Sequence, residues 1–173
     1  MELNQFEHIL LIGMPASGKT SLGRLLAEGR GLPFVDLDDL IELETAMSIE
    51  AYWKRNGEIA FRGIERNILF KALSLPKSII STGGGCPIFM DNMFWINHAI
   101  SIFLDCEISI LLDRLESKSR PILDQSEKSR IIQIEELYAK RHSFFSRAKH
   151  TINASLPLDQ ILNNLMTQSF IHT

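Results

Sequence analysis

The octapeptide Gly13-Met14-Pro15-Ala16-Ser17-Gly18-Lys19-Thr20 fits the pattern G-x-x-x-x-G-K-[ST], in which every specified residue has a chemical reason. Glycines at 13 and 18 let the backbone curl until successive N–H groups point inward, an anion nest at the positive end of a helix. Lys19 can reach the β- and γ-phosphates of a nucleotide, and Thr20 can offer its hydroxyl to Mg²⁺. His8-Ile9-Leu10-Leu11-Ile12 ahead of the loop has the length of a buried strand, and Leu22, Leu25 and Leu26 behind it recur at helical spacing. The context is strand, loop, helix, which a chance glycine-rich turn does not supply. A nucleoside triphosphate is the expected ligand, with Gly13, Ala16, Ser17, Gly18, Lys19, Thr20 and Ser21 expected at its site.

Further groups suited to chemistry follow in chain order. Asp36 and Asp38 stand two apart at a strand end, so their carboxylates project to the same side. One could meet Mg²⁺ while the other takes a substrate hydroxyl; alternatively Asp38 is the N-cap of a helix over 39–43. Their place one strand after a phosphate loop favours the chemical reading. Glu58, Arg62 and Glu65 share a helix face at i, i+4 and i+7, which periodicity alone reads as a solvated, salt-bridged face joined by Arg66. Gly83-Gly84-Gly85 carries a large entropy cost on ordering and implies close backbone approach by a ligand or a sharp turn. Cys86 beside it reads as a packed thiol. Ile102-Phe103-Leu104-Asp105 resembles the apolar run plus Asp that binds Mg²⁺ in nucleotide hydrolases. We read Asp105 instead as a helix cap, because Asp36 already supplies an acid beside the loop. Arg120 stands at the mouth of a polar stretch, 124–129, that reads as a lid. Arginines on a closing segment can neutralise a transferring phosphoryl group, although Arg114, Arg120 and Arg141 taken singly read as surface residues.

Positioning these groups requires alternating strands and helices. A first helix over 20–28 can end at Gly29 or Gly31. Strands are expected over 33–35, 78–81, 100–104 and near 151–152. Ser48 caps a helix over 49–56 stopped by Gly57, followed by a longer one over 58–73 with Ile64, Ile68 and Leu69 on its apolar side. Asp91 is expected to cap another helix, and more follow over 108–115, 131–141 and 158–166. This alternation implies a parallel sheet between helical layers, an α/β fold whose ligands bind at the strands' carboxyl ends.

Composition agrees with one domain of 173 residues, 45% of them hydrophobic. A net charge of −3 leaves no electrostatic footprint for nucleic acid or an anionic membrane. No apolar run approaches the roughly 18 residues of a membrane span, and Met1-Glu2-Leu3-Asn4 lacks a basic leader. Two cysteines, Cys86 and Cys106, are too few for a disulfide framework and lack metal-ligand spacing. The expectation is a soluble, cytoplasmic protein.

Taken together, the motifs resemble those of the shikimate kinases, almost end to end. Gly13 to Thr20 matches that family's nucleotide loop, and Asp36-Leu37-Asp38 its D-x-D. Gly57-Glu58, Phe61-Arg62 and Glu65 match its substrate-helix pattern, and Thr82-Gly83-Gly84-Gly85 its T-G-G-G. Arg120-Pro121-Ile122-Leu123 is similar to its lid motif R-P-L-L. Ala139-Lys140-Arg141-His142-Ser143-Phe144-Phe145 is similar to the arginine-bearing helix that follows the lid.

The resemblance implies transfer of the γ-phosphoryl group of ATP to the 3-hydroxyl of shikimate, with Mg²⁺, in aromatic amino-acid biosynthesis. It implies that Asp38 binds and orients the attacking hydroxyl or takes its proton. Arg62 and Arg141 would hold the carboxylate, Glu65 would brace Arg62, and Gly83, Gly84 and Gly85 would line the acceptor. Lys19 and Arg120 would stabilise phosphoryl charge, Thr20 and Asp36 would serve Mg²⁺, and Arg114 and Pro157 would flank the adenine. The implied fold is three-layer α/β/α with a five-stranded parallel sheet in order 2-3-1-4-5, like the nucleoside monophosphate kinases. The expectation is a single domain over 1–173, with substrate helices at about 38–74 and a lid at about 118–130, acting as a monomer. Departures are Ile122 where Leu is usual, Phe145 where an aromatic hydroxyl is frequent, and Asn153 in place of a common Asp. Two rival readings are a gluconate-type kinase, which leaves Arg62, the glycines and Arg141 unexplained, and a GTP-binding switch, whose N-K-x-D tetrapeptide is absent.

Overall fold

The structure, a computed structural model, describes residues 8–116 and 127–171. At its centre lies β1 (Ile9–Ile12), four consecutive apolar residues that are all buried. A run without polar alternation is what a strand covered on both faces requires. It pairs in parallel with β3 (Ile79–Ser81) on one side and β4 (Ile100–Asp105) on the other. β2 (Phe34–Asp36) joins β3 and β5 (His150–Asn153) joins β4, giving the expected order β2-β3-β1-β4-β5, all parallel. β5, at the sheet edge, alternates half-buried and exposed residues. His8, also buried, accepts a bond on Nδ1 from the Ser78 N–H at 3.2 Å and so fixes the start of β3 to that of β1.

Helices α1 (Lys19–Arg30), α2 (Leu37–Thr45), α3 (Ile49–Leu73), α4 (Asn92–Ile96), α5 (Ile108–Glu116) and α6 (Glu127–Phe145) lie between the strands in sequence, and α7 (Leu158–Met166) follows the last of them. α1 ends at Gly31, in left-handed conformation at φ 61°, whose N–H turns back to the Ala27 and Glu28 carbonyls. Ser48 caps α3 as expected, accepting from the Ala51 N–H, and Gly57 (φ 77°, ψ 173°) breaks that helix in two. Among the described residues no helix is long and apolar enough to cross a membrane.

The alternative that made Asp38 a cap is excluded, and two capping expectations are corrected. α2 begins at Leu37, so its cap is Asp36, whose Oδ1 accepts from the Asp38 N–H at 3.0 Å. Asp38 is thereby left to face the cleft. Asp91 holds the N-cap position of α4, but its side chain makes no capping bond; its carboxylate pairs with Arg66 at 2.6 Å and accepts from Trp95 Nε1. Asp105 is no cap either, because α5 starts three residues later. It ends β4, and its Oδ1 accepts the Tyr138 hydroxyl at 2.8 Å. α6 also runs longer at both ends than the expected 131–141. Its inner side seats Phe145, fully buried with its ring 5.2 Å from that of Phe103.

Candidate active site

A cleft of about 1520 Å³ opens along the carboxyl ends of the strands. That exceeds the roughly 300–1,000 Å³ of a single small-molecule pocket, so there is room for two ligands side by side. Its lining includes residues 15–21, Asp36, Asp38, Arg62, residues 83–85, Arg114 and Arg141.

The loop after β1 has the curl expected of an anion nest. Gly18 sits at φ 97°, and Ala16 at φ 64° carries a side chain in the left-handed region, uncommon outside glycine. Gly13 (φ 146°) is buried behind the loop, where a Cβ would lie 2.8 Å from the Leu104 carbonyl oxygen. Lys19 Nζ donates to the Gly13 and Met14 carbonyls at 3.1 and 2.8 Å, which holds the ammonium inside the loop. Ser17 is buried, and its Oγ has no hydrogen-bond partner among the described residues, leaving a polar atom in the nest to be satisfied by a ligand. The Thr20 hydroxyl donates to Asp36 Oδ2 at 2.8 Å, so one aspartate serves both the α2 cap and the nucleotide side.

The other end is built around two arginines. Arg62 and Glu65 are not on a solvated face. Arg62 is 12% exposed and Glu65 only 1%, and they pair at 2.6 Å, with Glu58 more distant at 3.7 Å. This corrects the reading drawn from helical periodicity, which finds a shared face without saying what covers it. Burial pushes the Glu65 carboxyl up from its usual value, while Arg62 pulls it back down. Arg66 does not join the trio but pairs outward with Asp91 and Asn92. From α6, Arg141 Nη1 donates to the Gly84 carbonyl at 3.0 Å. Burial, and next the nearby Arg62 charge, lower the Arg141 pKa to about 10. Two cations thus converge on one patch of cleft wall.

The three glycines are explained by neighbours within the protein. A Cβ on Gly83 would come 2.5 Å from Glu65 Oε1 and 3.2 Å from Asp38 Oδ1. One on Gly84 would come 2.8 Å from Pro15 Cδ, and one on Gly85 would overlap the Arg62 guanidinium. The close approach inferred from the sequence is therefore made first by the site's own side chains. Cys86 is a packed thiol as expected, fully buried, with its pKa raised by burial.

On the nucleotide side Arg114 bridges two loops, Nη2 to the Ala154 carbonyl at 3.2 Å and Nη1 toward the Ala16 carbonyl at 3.5 Å. Pro157 precedes α7; its neighbours Leu156 and Leu158 line the cleft and it does not. Asn153 closes a local turn by accepting from the Ser155 N–H. Arg120 and most of the expected 118–130 lid lie outside the described residues. The structure adds Trp53 and Phe61, whose rings flank the Arg62 guanidinium at 5.4 and 5.2 Å, and Pro15, which roofs Gly84. Phe61 was legible beside Arg62 in the helix motif, whereas nothing in the sequence marked Trp53.

Comparison with known proteins agrees with this geometry. The family model described as shikimate kinase matches residues 15–169. A shikimate kinase of Phocaeicola vulgatus is 38% identical over 150 residues, covering 84% of this chain and 86% of its own. The crystal structure of a shikimate kinase from Bacteroides thetaiotaomicron superposes with a TM-score of 0.88 at 32% identity, covering 92% and 96% of the two chains. A shikimate kinase from Acinetobacter baumannii in complex with shikimate gives a TM-score of 0.82 at 27% identity, covering 96% and 97%.

Proposed function

The chain belongs to the shikimate kinase family, and on that premise we propose that it transfers the γ-phosphoryl group of ATP to the 3-hydroxyl of shikimate, giving shikimate 3-phosphate and ADP. The observation that carries the acceptor assignment is the convergence of Arg62 and Arg141 across residues 84 and 85. Arg141, its cationic form already disfavoured by burial and by Arg62, gains most from an anion placed between the two. A guanidinium pair fits a carboxylate, and an uncharged polyol would leave both cations facing a neutral group.

Each residue then has a task. The nest at 16–18 and Lys19 hold the β- and γ-phosphates, while Arg114 orders the loops on either side of the base. Asp38, beside Gly83, orients the 3-hydroxyl and accepts its proton as the new O–P bond forms and the bond to the β–γ bridging oxygen breaks. Arg62 and Arg141 anchor the carboxylate, and Glu65 fixes Arg62. Arg120 is assigned to phosphoryl charge, and 118–130 to closure over the nucleotide, from the sequence motif alone.

Thr20 and Asp36 present hard oxygen donors 2.8 Å apart beside the nest, which suits Mg²⁺, a cation that takes one or two protein ligands with phosphate and water. Bound there, Mg²⁺ would neutralise charge on the phosphate oxygens. We further assign the enzyme as a single-domain monomer acting in the cytoplasm.

A coupled assay of ADP release with shikimate, with gluconate and with no acceptor tests the reading. Shikimate-dependent release is expected. Release that prefers gluconate, or that ignores the acceptor, refutes it.

A further inference from the structure

α6 touches both halves of the cleft, and Tyr138 is the point at which it is tied to the sheet. Its hydroxyl donates to Asp105 Oδ1 at 2.8 Å, at the carboxyl end of β4. The backbone carbonyl of that same Asp105 accepts from the Ala154 N–H, and the Ala154 carbonyl accepts from Arg114. Three residues after Tyr138 comes Arg141, which reaches Gly84 in the acceptor half. Residues three apart are neighbours on a helix surface, so fixing one fixes the rotation at which the other is presented. The other inward contacts of this stretch are apolar packing: Ile134 is buried in the core, Leu137 packs against it, and rings do the rest. Tyr138 lies 5.2 Å from His142, and Phe103 lies 5.8 Å from His142 and 5.2 Å from Phe145. Ring packing tolerates small rotations; a hydrogen bond to a carboxylate is directional.

We propose that Tyr138 is a positioning residue for the reaction: its bond to Asp105 sets the rotation of α6 that aims Arg141 at the acceptor's anion, and ties that arginine to the nucleotide side of the cleft. The assignment rests on the function proposed above. It gives Asp105, the acid at the end of β4, a task other than metal binding. The tether also holds across the working pH range. Burial, and next the bond to Asp105, raise the phenol to about 12, so Tyr138 keeps its proton and remains a donor.

The test is steady-state kinetics on the full-length protein, with thermal melting alongside. Tyr138→Phe keeps the ring packing and removes only the hydroxyl. The KM for shikimate should rise about tenfold, part of the roughly hundredfold that a 1 Å misplacement costs, while kcat and the KM for ATP change far less. Asp105→Asn keeps an oxygen that can accept from the phenol and should stay near wild type, whereas Asp105→Ala should match Tyr138→Phe. The Mg²⁺ dependence should be unaltered in both Asp105 variants. In an Arg141→Ala background, Tyr138→Phe should add nothing further to the shikimate KM, because the hydroxyl acts through that arginine. A full additional rise in that background would show general loosening of the fold and overturn the proposal. So would an unchanged KM in Tyr138→Phe, or an Mg²⁺ requirement raised in Asp105→Asn. If Tyr138→Phe fails to fold, the two Asp105 variants decide the matter by the same criteria. Wild-type protein inactive on shikimate would overturn the proposed function and this role together; an active wild type with an unaffected Tyr138→Phe overturns the tether alone.

Discussion

Esterifying the carboxylate of shikimate is the sharpest probe of the paired arginines. The methyl ester keeps the ring and all three hydroxyls but removes the negative charge at the point where Arg62 and Arg141 converge. A hydrogen bond to a charged group is worth about 1.5–3 kcal/mol, so one such bond per arginine at the lower figure gives about 3 kcal/mol, over a hundredfold in kcat/KM. The arginine to remove in the companion variant is Arg141. Truncating Arg62 would strand Glu65, which is 1% exposed, and confuse a binding loss with a folding loss. Among the described residues Arg141 leaves behind a carbonyl partner, Gly84. The assay is kcat/KM for acid and ester in wild type and in Arg141→Ala, four values forming a cycle. With one of two contacts gone, the ester penalty should shrink to about 1.5 kcal/mol, near tenfold. Equal rates on acid and ester in the wild type, or a penalty undiminished in Arg141→Ala, would refute the carboxylate clamp.

Lys19→Ala should lower kcat roughly a hundred- to a thousandfold with its thermal melt close to wild type, since the ammonium supports loop carbonyls locally but moving charge catalytically. Arg62→Ala should destabilise the protein by about 3–5 kcal/mol in urea unfolding, and Arg62→Ala with Glu65→Gln should recover most of that, because the stranded buried charge is gone. Gly85→Ala places a methyl into the Arg62 guanidinium and should raise the shikimate KM about tenfold or more while leaving the ATP KM near wild type. The low pKa of Arg141, about 10, gives a pH limb with a definite sign: the cation that binds the carboxylate is lost as pH rises through that value. kcat/KM for shikimate should therefore fall toward pH 10, and a pH–rate profile of Arg141→Ala should lack the part of the fall due to this group.

The strands and the nucleotide loop were legible because their signals are local. Four apolar residues in a row, a positive-φ glycine and a lysine one residue later need no knowledge of the rest of the chain. Strand order came only through the family resemblance, since nothing in the periodicity of 9–12 says that 79–81 lies beside it. The Arg62–Glu65 pair shows the limit most clearly. Spacing places both on one face of α3, but whether that face meets water depends on residues 83–85 arriving from elsewhere to cover it. The Asp36 cap was missed for a related reason. A carboxylate at a strand end can serve the following helix and the neighbouring loop at once, and Asp36 does both, with one oxygen each. Asp105 was misread because the partner that occupies it, Tyr138, lies 33 residues away on a helix whose rotation no sequence pattern specifies.

The sheet order also bears on how the chain is made. β1 has only β3 and β4 as neighbours, and β2 has only β3, so no two strands can pair until Ile79–Ser81 has left the ribosome. His8 and Ser78, which clasp the first of those pairs, are 70 residues apart. At about 5–20 residues per second, the nascent Ile9–Ile12 segment waits roughly 4–14 s without a partner. An apolar segment of high strand propensity exposed for that long is a natural target for a chaperone and a natural site of aggregation. The strand that delivers the phosphate loop is thus the first made and the one that waits longest for its first partner, which makes translation rate, as well as sequence, a determinant of yield.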